Sequence, residues 1–248
     1  MDSILVFSGL DPCAGAGAVA DIETIHQFGL TPFTIITNLS VQNTCSVQRL
    51  HEVDSDLISE QYQHLQDDST FEVVKIGLLS SVQQIQTIAA LIQNKTVVLD
   101  PVVRASTGKV FLDVNLVAAL KQYLLPLATI TTPNQAELYA LSGETNEQKA
   151  INKLDCEWVL LTTTDNSDAD IEHRLYQRQT LVQRFHYQKL PGQYHGSGCT
   201  LTSAIAALIA TGTAIDVACG RALDYTYQSL LNAKQLGKMQ YHLNRHKP

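Results

Sequence analysis

The sequence predicts an α/β fold in which a mostly parallel β-sheet lies between two layers of helices. Short apolar runs typical of buried strands alternate with amphipathic segments along almost the whole chain, and glycine or polar residues follow most of these runs. The 248 residues include 45% hydrophobic and 17% charged residues, which are ordinary values for a globular protein with a sizeable core. No repeat or linker-like segment is present. We therefore expect one domain that spans residues 1–248.

The first half of the sequence contains four predicted strands and three predicted helices. The first predicted helix has an apolar face at helical spacing, formed by Ala18, Ile22 and Ile25. Gly29, a residue type that commonly ends helices, follows it. The predicted strands are Ser3–Phe7, Pro32–Thr37, Val73–Ile76 and Thr96–Leu99, and the predicted helices are Ala18–Phe28, Asp54–Asp67 and Val82–Ile92.

The second half continues the alternation but interrupts it once. Two β-prone segments within Arg174–Tyr187 are separated only by Gln177–Gln179, which predicts an antiparallel hairpin in place of another strand–helix unit. The other predicted elements are helices Asp113–Tyr123, Asn134–Leu141, Glu147–Leu154, Leu201–Ala210 and Ala214–Lys234, and strands Ala128–Thr131 and Trp158–Leu161.

Charge and cysteine content limit the partners and the compartment. The net charge of −7 argues against nucleic acid or an anionic membrane as the main partner. No apolar run approaches the ~18 residues of a membrane span, and residues 1–8 lack the basic start of a signal peptide. The five cysteines are scattered and include no C-x-x-C pair, which suits neither a disulfide framework nor a zinc site. We expect a cytoplasmic protein.

The segment Gly196-Ser197-Gly198-Cys199 precedes an alanine-rich helix and is the first candidate for a functional site. A glycine turn at a helix start leaves backbone N–H groups unpaired and pointing the same way, and the helix dipole adds to their attraction for an anion. A cysteine in the first turn is expected to have a lowered pKa and to accept a proton. The same four residues also fit a plain glycine turn with a buried structural cysteine.

Polar residues follow the other predicted strands, where ligands bind in open parallel sheets. Asp100 and Glu137 are carboxylates that could hold Mg²⁺ directly or through water, although both also suit a cap or turn. The run Gly15–Ala20 fits a G-x-G-x-x-A dinucleotide pattern, but it begins eight residues after Phe7, which disfavours a nicotinamide enzyme. No Walker A loop or G-x-S-x-G elbow is present, which removes the usual P-loop and hydrolase hypotheses.

Six motifs in order resemble the hydroxymethylpyrimidine/phosphomethylpyrimidine kinases of thiamine biosynthesis, within the ribokinase-like superfamily. The opening segment Ser8–Asp21 is similar to the family's G-x-D-P-x-x-G-A-G-x-x-A-D pattern. Each motif alone is a weak signal, whereas six in family order, spanning about residues 4 to 232, are specific. The other five are Val41–Thr44, Lys75–Leu79, Leu99–Val102, Thr132–Glu137 and His195–Thr200.

The resemblance implies a ribokinase-like three-layer α/β/α sandwich that uses ATP and Mg²⁺ and forms a homodimer. It implies phosphorylation of 4-amino-5-hydroxymethyl-2-methylpyrimidine and then of its monophosphate. Cys199 matches the catalytic-base position, and Gly196, Ser197 and Gly198 match the anion hole. The residues that match the pyrimidine pocket are Gly9, Ala16, Asp21, Gln42, Leu78 and Val102. We assign Asn134 and Thr162 to the nucleotide, because Thr162 resembles a threonine of ribokinase and pyridoxal kinase relatives.

Three departures from the family pattern leave other functions open. Ser106 replaces the usual lysine after Asp-Pro, and Thr162–Asp165 replaces the usual K-G-G-H, so two cationic phosphate contacts are missing. Arg104 or Lys109 could compensate from the same loop, or be plain surface charges. The family's glycine-rich tail is not recognisable in Gly237–Pro248, and we assign no role to His195.

Besides the leading hypothesis, we therefore consider two others. One is a kinase for a related ring alcohol such as pyridoxal or pyridoxine, which would use the same fold and a similar pocket. The other is a pyrimidine-binding regulatory protein with weakened catalysis, which the missing lysines favour. The presence of Asp100, Glu137 and the whole Gly196–Cys199 turn favours the kinases, because a pure binder would not need them.

Overall fold

A nine-stranded sheet forms the centre of the computed structural model, which describes residues 3–103, 114–163 and 170–246. Its strands are β1 Ser3–Leu10, β2 Thr31–Gln42, β3 Val47–Glu52, β4 Val73–Ile76, β5 Thr96–Leu99, β6 Ile130–Thr131, β7 Trp158–Leu161, β8 Asp170–Gln177 and β9 Thr180–Gln188. Their order in the sheet is β3-β2-β1-β4-β5-β6-β7-β8-β9. The six strands from β2 to β7 are mutually parallel, and β3, β8 and β9 add antiparallel edges.

Helices cover both faces of this sheet. They are α1 Gly17–Gln27, α2 Ser55–Asp68, α3 Val82–Leu91, α4 Val114–Ala119, α5 Gln135–Ser142, α6 Glu147–Asn152, α7 Ser197–Ala210 and α8 Ile215–Leu231. Alternate residues of β1 point to opposite cores: Leu5 and Phe7 pack with α2 to α6, while Ile4 and Val6 pack with α1, α7 and α8. The predicted three-layer α/β/α sandwich with a mostly parallel sheet is confirmed.

The antiparallel edge beside β2 was not predicted. Strand β2 continues five residues beyond the predicted end at Thr37 and pairs with β3. The sequence of β3, VQRLHE, is mostly exposed and carries no apolar run, because an edge strand buries little of its surface. This extension places Gln42 at the end of a strand, whereas we had expected it in the following loop.

Other predictions differ from the structure at element ends. The predicted strand Ala128–Thr131 shortens to β6, because a π-turn at Leu120–Leu124 and a 3₁₀ turn at Leu125–Leu127, which contains proline, precede it. The start of the predicted helix at Asp113 lies outside the described residues. The predicted hairpin is confirmed as β8 and β9, with Arg178 and Gln179 at positive φ in its turn.

A second, two-stranded sheet lies near the start of α7. It pairs β10, Tyr194–His195, in parallel with β11, Tyr241–His242, so the chain after α8 returns to the glycine turn. Helix α7 begins at Ser197, four residues before the predicted start at Leu201, and Gly196 is its N-cap. Within the described ranges, no helix is long and apolar enough to cross a membrane.

Candidate active site

The loop between β1 and α1 is organised by the side chain of Asp11. Its two carboxylate oxygens accept hydrogen bonds from the backbone N–H groups of Cys13, at 2.8 Å, and of Gly15 and Ala16, both at 3.0 Å. These bonds fold residues 11–16 into a compact turn at the carboxyl end of β1, where ligands bind in open α/β sheets.

His195 joins this loop to the glycine turn. Its Nε2 atom lies 2.8 Å from Asp11 Oδ2, and both residues are buried. Burial opposes ionisation of Asp11, but the hydrogen bonds from His195, Gln42 and the Cys13 N–H outweigh it and hold the pKa of the carboxyl well below its ordinary value. We had assigned no role to His195; the structure places it between the two loops that the resemblance implicates.

Glycine is required at Gly196 by conformation and by space. Its φ is +83°, and a Cβ atom there would lie 2.0 Å from the carbonyl oxygen of Gly15. The turn that opens α7 therefore packs directly on the β1–α1 loop. On its other side, a Cβ at Gly198 would lie 3.6 Å from Asp100 Oδ2, so the turn also borders the carboxylate at the end of β5.

Cys199 lies in the first turn of α7, as predicted, but its electrostatic environment differs from the expected one. Burial among protein groups raises the pKa of its thiol to about 12, and the carboxylates of Asp21 and Asp100 add to the effect. The charge of Lys75 and a hydrogen bond from the Gly17 N–H act in the opposite direction but are weaker. The expected lowering of the Cys199 pKa by the helix terminus is therefore wrong for the free protein.

A buried ion pair lies behind Cys199. Lys75 Nζ is 2.9 Å from Asp21 Oδ2, and neither side chain is exposed to solvent. Ser203 of α7 donates to the other Asp21 oxygen at 2.7 Å. Burial opposes the charge of Lys75, but the nearby carboxylates of Asp21 and Asp100 outweigh this effect and raise the pKa of Lys75, which keeps it cationic. With both oxygens bonded and no exposed surface, Asp21 does not face a pocket, and this placement does not support its predicted contact with a pyrimidine.

Asp100 and Glu137 have the properties of a cation site. Burial raises the pKa of Asp100 to about 6, although Lys75 opposes the shift. Burial and the charge of Asp100 raise the pKa of Glu137 to about 8. Two desolvated carboxylates that repel each other fit a divalent cation, and Mg²⁺ takes most of its other ligands from water and phosphate. The described residues contain no group of three or more acidic, histidine or cysteine side chains around a possible metal position.

Glu137 already holds backbone groups. One oxygen accepts from the Asn134 N–H at 2.9 Å, and the other accepts from the Val103 N–H at 3.3 Å. Asn134 Oδ1 accepts in return from the Glu137 N–H at 2.9 Å, which completes a capping box. The capping role that we considered for Glu137 is thus present, and a cation would use the remaining lone pairs or a bridging water.

Four of the predicted pocket residues surround the β1–α1 loop. A Cβ at Gly9 would lie 3.6 Å from a methyl group of Leu78, which places these two residues in contact. The Ala16 N–H and the Gln42 side chain both bond Asp11. The fifth, Val102, is half-buried and donates its N–H to the Asp100 carbonyl oxygen, directly after β5.

The two residues assigned to the nucleotide are neighbours. Asn134 and Thr162 form a parallel β-bridge beyond the ends of β6 and β7, and the Thr162 N–H donates to the Pro133 carbonyl oxygen at 2.9 Å. Ser106, Arg104, Lys109 and Asp165, which bear on the missing lysines, lie outside the described residues.

Sequence reasoning missed four residues that shape the site: Asp11, Lys75, His195 and Arg245. Lys75 had a usable signal, since a lysine inside the otherwise apolar strand VVKI must be paired when both sheet faces are covered. Asp11 and His195 lie within two of the six motifs, but no pattern indicated that they pair across 184 positions. Arg245 had no signal, because its side-chain partners are between 45 and 231 positions away.

Comparison with known proteins identifies the family. A family model described as phosphomethylpyrimidine kinase matches residues 11–244. The chain belongs to this family. The hydroxymethylpyrimidine/phosphomethylpyrimidine kinase of Salmonella typhimurium is 32% identical over 217 residues, which cover 82% of this chain and 81% of that protein. Membership of the phosphomethylpyrimidine kinase family makes the protein a phosphotransferase.

Solved structures give the same fold. An ADP complex of Bacillus subtilis pyridoxal kinase superposes with a TM-score of 0.90 at 26% identity, covering 100% of this chain and 98% of that one. The phosphomethylpyrimidine kinase of Clostridium difficile superposes with a TM-score of 0.79 at 26% identity, covering 93% and 100%. The phosphomethylpyrimidine kinase family and pyridoxal kinase thus share this architecture.

Proposed function

We propose that the protein transfers a phosphoryl group from ATP to the hydroxymethyl group of 4-amino-5-hydroxymethyl-2-methylpyrimidine, and then phosphorylates the monophosphate. One observation carries the proposal. The Gly196–Cys199 turn packs on the β1–α1 loop through Gly196 and borders Asp100 through Gly198. An anion on this turn would therefore lie between a pocket for a small ring and a carboxylate pair suited to a cation.

The N–H groups at the start of α7 are proposed to bind the transferring phosphoryl group. Bound Mg²⁺ would neutralise phosphate charge, and Asp100 and Glu137 would hold it. Lys75 supports the same task from the protein interior, because a buried cation behind the turn favours negative charge in front of it.

Cys199 is proposed to receive the proton of the substrate hydroxyl at Sγ. A thiol with a pKa of about 12 is neutral at physiological pH, so it cannot do this as a ready thiolate. The charge of Lys75 and a hydrogen bond from the Gly17 N–H favour the thiolate, and we infer that Cys199 accepts the substrate proton in that form, after its own proton has been lost to solvent.

Gln42 is proposed to recognise the ring, because an amide matches the donor–acceptor edge of an aminopyrimidine. Gln42 lies close enough to Asp11 to help lower its pKa, and the end of β2 holds the Gln42 backbone beside the β1–α1 loop. Asn134 and Thr162 remain proposed contacts of the nucleotide, and a cytoplasmic homodimer remains a prediction; light scattering of the purified protein would test the dimer.

Pyridoxal kinase activity is the second candidate, and the superposition on the Bacillus subtilis pyridoxal kinase favours it. The test is incubation with Mg·ATP and either hydroxymethylpyrimidine or pyridoxal, with product masses read directly. We expect a pyrimidine monophosphate followed by a diphosphate. Monophosphate alone would remove the second transfer, and product only from pyridoxal would move the assignment. Binding of the pyrimidine without any product, seen as a raised melting temperature, would leave a binding protein.

A further inference from the structure

The segment after α8 turns back towards the candidate site. The backbones of Lys234 and His242 exchange two hydrogen bonds of 2.9 and 2.8 Å, which close residues 234–242 into a loop. Strand β11 then pairs with β10, directly before Gly196. Beyond β11, the Asn244 N–H donates to the Ser229 carbonyl oxygen at 3.1 Å, and the Tyr225 hydroxyl donates to the Arg245 carbonyl oxygen at 2.8 Å. These bonds to α8 fix the position of the Arg245 backbone.

Arg245 is a large polar side chain with almost no exposed surface, at 1%. Its Nη2 donates to the Gly15 carbonyl oxygen, and its Nε donates to Thr200 Oγ1 at 2.8 Å. Its Nη1 lies 3.0 Å from Glu23 Oε2 and 3.5 Å from the Ala14 carbonyl oxygen. A guanidinium presents its donors in a rigid fork, so these acceptors are held at fixed positions relative to one another.

The acceptors belong to the two parts of the site that must meet. Gly15 lies in the β1–α1 loop. Thr200 lies in the first turn of α7, and its hydroxyl donates to the Gly196 carbonyl oxygen at 2.8 Å. The side of Gly196 is also close to the guanidinium, since a Cβ there would lie 2.8 Å from Nη2. Arg245 therefore bonds the substrate loop directly and the anion-binding turn through one hydroxyl.

A histidine of the same segment makes a parallel contact. His242 Nε2 lies 3.0 Å from the Cys13 carbonyl oxygen, and its ring stands edge-on to His195 at 6.1 Å between centroids. Residues 242–245 thus contact the loop at Cys13, Ala14 and Gly15 in succession. Such a set of bonds from one short segment to one loop goes beyond what burying the segment alone requires.

We infer that Arg245 is a positioning residue for phosphoryl transfer, which locks the β1–α1 loop to the Gly196–Cys199 turn and keeps a positive charge behind that turn. This inference rests on the proposed function. Transfer to a bound hydroxyl depends on its distance from the phosphoryl group, and a misplacement of about 1 Å can cost about 100-fold in rate. Removing the Arg245 bonds that join the β1–α1 loop to the Gly196–Cys199 turn should therefore lower kcat.

The test compares Arg245→Met, Arg245→Lys and Thr200→Val with the control Glu23→Gln. The Glu23 side chain is 27% exposed and contacts Arg245 at Nη1 and His246 at Nε2, so the control keeps the Arg245 bonds to Gly15 and Thr200. We expect Arg245→Met to lower kcat about 10- to 100-fold, Arg245→Lys less, and the control less than twofold. KM for Mg·ATP should change less than kcat, because Arg245 bonds neither Asn134 nor Thr162, the proposed nucleotide contacts.

Two measurements separate positioning from loss of folded protein. First, each rate is divided by the fraction of folded protein, measured by circular dichroism. Second, Arg245→Ala is assayed with and without millimolar guanidinium, which should restore part of kcat. In the double variant of Arg245→Met and Thr200→Val, the losses should be less than multiplicative, since one bond joins the two residues. If Arg245→Met does not fold, kcat of Arg245→Lys and of Thr200→Val tests the positioning role instead.

The outcomes are distinct. A wild-type protein that gives no phosphorylated product contradicts the proposed function itself. An active wild type whose folded Arg245 and Thr200 variants keep kcat within twofold overturns the positioning role. A loss of kcat that guanidinium partly restores, with the Glu23 control unaffected, supports it.

Discussion

The proposed substrate side is the β1–α1 loop with the Gly196–Cys199 turn, and the proposed nucleotide side is Asn134–Glu137 with Thr162. The two sides are held by different contacts. On the substrate side, Asp11, His195 and Arg245 join residues that are 184 or more positions apart through buried charged groups. On the nucleotide side, a capping box within Asn134–Glu137 and a single bridge to Thr162 provide the order that the described residues show. Buried networks of charged groups hold their members at fixed positions. Removing one member lowers the stability of the protein strongly, because it leaves an unpaired charge in the interior.

The comparison suggests that distance and orientation are controlled where the hydroxyl and the phosphoryl group meet. A nucleotide would bring its own phosphate charges and a bound Mg²⁺ would offset them, so fewer fixed protein groups would be needed on that side. Substitutions on the substrate side should therefore change kcat or stability strongly, while those on the nucleotide side should mainly change apparent affinity.

The largest effect is expected from Cys199. Cys199→Ala should lower kcat by about 100- to 1,000-fold, the usual share of a proton-transfer group, whereas Cys199→Ser should retain part of the activity. Steady-state kinetics on both variants measure this. Cys45→Ala is the matched control, because Cys45 is also half-buried and has no proposed role. Full activity in both Cys199 variants would remove the base assignment.

The next largest effect concerns stability. Lys75→Met leaves Asp21 as an uncompensated buried charge and should lower the free energy of unfolding by about 3 to 5 kcal/mol. Urea denaturation measures the loss. A double variant that adds Asp21→Asn should recover part of it, because the unpaired charge is then gone. A double variant as unstable as the sum of the two single changes would contradict the idea that the ion pair acts as a unit.

Much of the sheet was predictable, and the physical reason is burial on both faces. The predicted bounds of β4, β5 and β7 match the structure because each is a short segment rich in apolar, β-prone residues, with the sequences VVKI, TVVL and WVLL. Edge strand β3 and the two-residue strands β10 and β11 bury too little surface to leave such a pattern.

The positions of candidate site residues could be predicted where polar residues follow the end of a strand. Properties that depend on neighbours in the protein interior could not be predicted. Asp100, Glu137 and the glycine turn lie where the motifs indicated. The raised pKa of Cys199 follows from neighbours that only the fold brings together. Arg245 lies in a segment that we could not relate to the family at all, and only the return of the chain after α8 gives it partners.

A smaller effect is expected in the pH dependence of cation binding. The folded protein holds a proton on Glu137 up to a pKa of about 8, above the ordinary value of 4.5. Its contribution to stability is complete below 4.5 and is lost as pH rises through about 8. Mg²⁺ favours the ionised form, so affinity for a Mg·nucleotide analogue should rise between about pH 6 and 8 with release of protons.

Titration calorimetry in buffers of different ionisation enthalpy counts these protons. Glu137→Gln cannot titrate and keeps one oxygen for the Asn134 N–H of the capping box, but it loses the bond from the Val103 N–H. It should bind the complex more weakly and with a flatter pH profile. A profile as steep as that of the wild type would assign the titration to another group.

The smallest effect is expected on the nucleotide side, at Thr162. Its backbone is held by the Pro133 carbonyl oxygen and the bridge to Asn134, and its hydroxyl lies 3.5 Å from the same carbonyl, at the limit of a hydrogen bond. Thr162→Val keeps the shape and removes only the hydroxyl, so KM for ATP should rise about two- to tenfold, the value of one hydrogen bond, with kcat nearly unchanged.

Thr163→Val is not an equivalent control, because the Thr163 hydroxyl bonds the Glu172 carbonyl oxygen inside the structure. A fall in kcat as large as that of Cys199→Ala would show that the nucleotide side fixes reaction geometry too, and the contrast between the two sides would fail.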